Sequence, residues 1–116
     1  MKKIISLIVI CLFLTACSSK FETITTNEAL KLIDEGAIVI DVRTPDEYNE
    51  GHIKGAINIP VDEIENITYG KGDTLIVYCA TGVRSANASN ILADMGYTSL
   101  YNLDGGLLNW GSDLEE

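Results

Sequence analysis

Two short runs, Ala37-Ile38-Val39-Ile40 and Thr74-Leu75-Ile76-Val77-Tyr78, constrain the fold most. Neither alternates apolar with polar residues. Both are apolar or β-forming almost throughout, as expected of strands buried on both faces. Such strands need helices on either side, and the intervening segments carry helix signals. Thr25-x-x-Glu28 is a capping-box pattern opening a helix over Asn27–Glu35, with Leu30 and Ile33 as its apolar stripe and Gly36 as its stop. Thr44-Pro45-Asp46-Glu47 combines a cap, a proline in the first turn and an acid at the third position, and the helix it opens ends near Gly51. Ala56–Pro60 reads as a short strand, Val61–Ile67 as a short helix and Tyr69–Asp73 as a glycine-bearing turn. Val83–Met95 reads as a helix stopped by Gly96, Ser99–Leu103 as the last strand, and Leu107–Leu114 as a terminal helix with Trp110 packed. The alternation predicts an α/β fold with a parallel sheet covered by helices on both sides.

With 116 residues the chain suits one domain. Eight basic against seventeen acidic residues give a formal charge of −9, which argues against nucleic acid as a partner, because phosphate contacts need clustered Lys and Arg. The acidic turns at Asp46, Glu47, Glu50 and Asp62–Glu65 read as solvated faces.

The N-terminus reads as an address. Met1-Lys2-Lys3 is basic, and Ile4–Leu14 is apolar except for Ser6, at about half the ~20 residues a spanning helix needs. It ends in Leu14-Thr15-Ala16-Cys17, followed by Ser18-Ser19-Lys20. This resembles the bacterial lipoprotein lipobox, which implies diacylglycerol on the Cys17 sulfur after removal of residues 1–16, with an ordinary signal peptide or an uncleaved anchor as the alternatives. Residues 17–21 then form a lipidated N-terminus and short tether, and 22–116 the folded domain. Cleavage removes Lys2 and Lys3 and no acid, leaving −11, so attachment would rest on acyl chains rather than on attraction to anionic headgroups. The expected location is the extracytoplasmic face of a bacterial membrane.

Of three cysteines, Cys11 lies in the cleaved segment and Cys17 would be lipidated, which leaves Cys79 as the free thiol of the mature domain. An unpaired cysteine in an exported protein needs a reason. Cys79 is the first residue past a central strand, at the sheet edge where ligands of open α/β folds bind. The segment Cys79-Ala80-Thr81-Gly82-Val83-Arg84-Ser85 then enters a helix. Such a loop aims several backbone N–H groups at one point, which stabilises an anion and lowers a thiol's pKa. Gly82 permits the sharp turn, and Arg84 could close the loop or pair with a bound oxyanion. An enzymatic role requires the thiol to lie outside the packed interior with those donors turned towards it; a buried, inert cysteine is the alternative.

The chain resembles a single-domain rhodanese. The matching pieces are Asp41-Val42-Arg43; Tyr48-x-x-Gly51-His52-Ile53-x-Gly55-Ala56-x-Asn58-Ile59-Pro60; Tyr78-Cys79-x-x-Gly82-x-Arg84-Ser85; and Leu103-x-Gly105-Gly106 with Trp110. The resemblance implies a three-layer sandwich around a five-stranded, mostly parallel sheet. It implies sulfur transfer through a persulfide on Cys79, held by the backbone N–H groups of Ala80, Thr81, Gly82, Val83 and Arg84. The donor would be a small sulfur anion such as thiosulfate or a protein persulfide, and the acceptor a thiol, sulfite or cyanide. No metal or organic cofactor is implied. His52 is structural in that pattern. Asp41 and Arg43 read as a structural ion pair at the same sheet edge, with support of the site as the alternative. Two other functions compete: a non-enzymatic persulfide carrier or docking module, and a phosphatase or arsenate reductase. The latter use five residues between Cys and Arg, against four between Cys79 and Arg84.

Overall fold

A computed structural model describes residues 20–111 and 114–116. Five strands form one wholly parallel sheet: β1 (Glu22–Ile24), β2 (Ile38–Asp41), β4 (Ile57–Asn58), β5 (Thr74–Tyr78) and β6 (Ser99–Leu103), in the spatial order β1-β6-β5-β2-β4. Three α-helices connect them: α1 (Thr26–Asp34), α2 (Pro45–Glu50) and α3 (Val83–Asp94). Both predicted capping boxes form. Thr25 and Thr44 each accept a backbone N–H from the glutamate three residues on, and each glutamate returns the bond.

The two central runs are strands buried on both faces. Along β5, side chains alternate between two cores, as the pleat requires. Leu75 and Val77 pack with Ala88 and Leu92 of α3 and with Ile64. Ile76 and Tyr78 pack on the opposite face with Ala29 of α1, Ile53 and Trp110. Cys79 continues the alternation onto the α3 face. Chain parity at the end of β5 thus sets the direction of the thiol.

Three expectations are corrected and one strand is added. The segment Val61–Asn66 is a 3-10 helix, and only Ile57–Asn58 of the predicted Ala56–Pro60 strand pairs. The predicted terminal helix over Leu107–Leu114 is absent. A single 3-10 turn, Gly106–Asn109, is bounded by Gly105 and Gly111 at positive φ, which a continuing helix cannot accommodate. Leu114–Glu115 then forms a strand (β7) antiparallel to His52–Ile53 (β3). Trp110 is packed as expected. The strand that completes five, Glu22–Ile24, is an edge strand of three residues whose sequence alternates too briefly to be read.

Candidate active site

β5 ends at Tyr78 and the chain turns at once into α3. Gly82 makes the turn possible: it sits in the left-handed region at φ 105° immediately before the helix. The loop folds back over the Cys79 side chain. The Gly82 N–H donates to Sγ at 3.1 Å, the Ser85 N–H lies at 3.4 Å, and the Ser85 hydroxyl is also 3.4 Å away. Ser85 is fixed in turn, because its hydroxyl donates to Asn102 Oδ1 on β6 while Asn102 Nδ2 donates to the Gly82 carbonyl.

Burial by itself would push the thiol pKa up. The Ser85 hydroxyl and N–H, with the N–H groups of Gly82 and Thr81, outweigh burial and hold the thiol below its ordinary value. Of the donors expected in residues 80–84, Gly82 bonds the sulfur and the Thr81 N–H acts on it, whereas Ala80, Val83 and Arg84 make no hydrogen bond to it. Gly82 belongs to the run expected from the sequence, whereas Ser85 lies one residue beyond it. Its signal in the sequence is a hydroxyl in the first turn of the helix that follows the Cys79 loop.

The exposure requirement is not met as stated, because Cys79 is only 1% exposed. The side chain belongs to the core packed under α3, beside a loop in which Thr81 and Val83 are exposed and Ala80, Gly82 and Arg84 are half-buried. From below, the loop is held by the turn after β6: the Leu107 N–H donates to the Cys79 carbonyl at 2.9 Å and the Leu108 N–H to the Ala80 carbonyl at 3.2 Å. This approach needs a glycine at position 106. A Cβ there would lie 2.4 Å from the Cys79 carbonyl oxygen.

Arg84 does not point freely outward. Its guanidinium forms a bidentate pair with Glu47 of α2, at 2.8 and 3.0 Å. Glu47 is therefore no solvated acid. Arg84, together with the bonds from Thr44, holds its carboxyl down at about 2. Asp41 and Arg43 form a buried ion pair at 2.6 Å, and Arg43 also donates to the Gly51 carbonyl. These bonds tie β2 to the end of α2, and neither residue is bonded to Cys79. His52 Nδ1 bonds the Tyr48 carbonyl at 2.9 Å, and its ring stacks on Tyr48 at 3.7 Å, so it serves packing. Cys17 lies outside the described residues.

Residues 25–113 match the rhodanese-like domain family. The chain belongs to the rhodanese-like family. Residues 1–18 match the prokaryotic membrane lipoprotein lipid attachment site, as the lipobox predicted. This rhodanese-like chain is 47% identical over 70 residues to the thiosulfate sulfurtransferase PspE of Escherichia coli, covering 57% of this chain and 67% of that one. Among solved structures, a rhodanese-like domain protein from Staphylococcus aureus matches with a TM-score of 0.73 at 35% identity, over 82% of this chain and 97% of that one. A rhodanese with anions from E. coli matches with a TM-score of 0.64 at 39% identity, over 70% and 99%. The expected α/β sandwich around a five-stranded sheet is the observed fold, with the sheet wholly parallel where mostly parallel was expected.

Proposed function

We propose that this membrane-anchored rhodanese-like protein moves sulfane sulfur from an anionic donor such as thiosulfate to a thiophilic acceptor through a persulfide on Cys79. One observation carries the reading: Sγ of Cys79 ends the central strand inside a cradle formed by Gly82 and Ser85, which favours the thiolate. The thiolate attacks the outer sulfur of thiosulfate, the donor's S–S bond breaks, and sulfite leaves with the electron pair. An acceptor thiolate then attacks the outer sulfur of the persulfide and Cys79 leaves as thiolate. The two steps balance without an external oxidant or reductant. The N–H donors that face the thiolate serve the persulfide anion equally. Entry of the donor requires the loop of residues 80–84 to yield, since Cys79 is buried beside it.

The four residues between Cys79 and Arg84 speak against phosphoryl chemistry, which uses a loop of five to contact a phosphate's oxygens, and the sharing of Arg84 with Glu47 leaves it only partly free for an anion. The relatives' sulfurtransferase activity favours turnover over a passive carrier. Intact-mass measurement of the detergent-extracted lipoprotein after exposure to thiosulfate tests the reading. The expected result is a gain of one sulfur atom that Cys79→Ser abolishes, together with cyanide-dependent thiocyanate release. A gain without turnover would mark a carrier, and no gain would end the proposal.

A further inference from the structure

The anchor and the thiol lie at opposite edges of the sheet. All five strands are parallel, so β1 enters at the amino edge and Cys79 leaves at the carboxyl edge. The register gives the separation. Val77 is opposite Asn102, and Asn102 is opposite Thr23, so Cys79 is level with Thr25. Lys20 is five residues below that level, or about 16 Å at the rise of a strand. A second element agrees. Lys20 Nζ contacts Asp94 at 2.6 Å, and Asp94 is the last residue of α3, a helix of 12 residues that starts at the Cys79 loop and spans about 18 Å.

The tether is shorter than this. Only Ser18 and Ser19 separate Cys17 from Lys20, so the lipidated residue reaches at most about 11 Å from Lys20 even when fully extended. The anchor therefore holds the amino edge close to the lipid surface, and while β1 stays paired the carboxyl edge is the one left free to stand off from it. Exposed Val83 and Leu108, beside the Cys79 loop, mark the edge that points away, and Gly72, before β5, marks the edge that points towards the anchor.

From this geometry we infer that lipid attachment at Cys17 holds the amino edge of the sheet against the membrane and turns the Cys79 loop to the aqueous side. The sulfur donor and acceptor are then water-soluble molecules, not lipid-dissolved ones. The inference rests on lipidation at Cys17 and, for the substrate class, on the persulfide reading of Cys79.

The test uses the full-length lipidated protein in phospholipid vesicles. A fluorophore is placed at Gly72→Cys or at Leu108→Cys in a Cys79→Ser background, and headgroup-nitroxide lipids act as quenchers. A Cβ at Gly72 meets nothing within 4 Å, and Leu108 is 78% exposed, so neither probe disturbs packing. The Gly72 probe is expected to quench several-fold more than the Leu108 probe; equal quenching, or the reverse order, overturns the orientation. A second arm loads the vesicle-bound protein carrying the native Cys79 with thiosulfate or with a persulfide on a phospholipid-attached thiol. Charging by thiosulfate alone is expected, and charging by the lipid-held donor at a similar rate overturns the substrate class. The expected quenching order without charging by either donor would leave the orientation standing and sink the persulfide. Failure of the protein to bind vesicles at all would remove the anchor and the inference with it.

Discussion

The guanidinium of Arg84 lies flat against the carboxylate of Glu47, joining the first turn of α3 to the first turn of α2 beside the Cys79 loop. The pair partly neutralises the cation that would attract an anionic donor. Glu47→Gln should therefore lower the KM for thiosulfate several-fold with little change in kcat, and Arg84→Ala should raise it. A neutral donor should respond to neither. Steady-state kinetics with both donor types checks this; equal shifts for the two would remove the steering role of Arg84.

The same pair has an acid signature. The carboxyl of Glu47 is held well below the usual carboxylate range, at about 2. A depressed acid stabilises the fold above its unfolded pKa of about 4.3 and loses that contribution as pH falls towards 2. Both side chains are more than one-third exposed or close to it, so the effect is modest. Denaturation curves across this window should be less pH-dependent for Glu47→Gln than for wild type; parallel profiles would show that the pair is not formed in solution.

The Ser85 N–H faces the Cys79 sulfur, and its hydroxyl, which donates to Asn102 Oδ1, lies 3.4 Å from the sulfur and must rotate to donate to the thiolate. Ser85→Ala removes the hydroxyl and should move the pH–rate profile of persulfide formation to higher pH while leaving the plateau rate near wild type. An unchanged profile would mean that the backbone donors suffice.

Gly106 carries the approach of the β6 turn beneath the Cys79 carbonyl. Gly106→Ala places a Cβ 2.4 Å from that oxygen and a side chain at positive φ. The left-handed backbone alone costs of order 1–3 kcal/mol. A fall in Tm is expected, with faster alkylation of Cys79 by a neutral reagent as the loop is pushed off the thiol. Gly72→Ala, in open space, is the control that should change neither. Unaltered Tm in Gly106→Ala would show that the turn relaxes freely.

Cys17→Ser should release the protein from the membrane fraction. Among the described residues no helix is long and apolar enough to cross a membrane, so retention would point to an uncleaved N-terminal segment.

The local elements were written in local signals. Two capping boxes, two apolar runs and the glycine stops set α1, α2, β2 and β5 without help from distant residues, because caps and burial periodicity act over a few positions. The placement of Cys79 at a strand end before a glycine turn was legible for the same reason. Long-range pairing decided the rest. Glu22–Ile24 becomes a strand only because β6 offers an open edge, and Leu114–Glu115 only because His52–Ile53 does. Glu47 reads as solvent-facing in sequence and becomes the partner of a residue 37 positions away. The anchoring of the Cys79 loop has the same origin: that loop and the turn after β6 are remote in sequence and meet only once the parallel sheet is assembled.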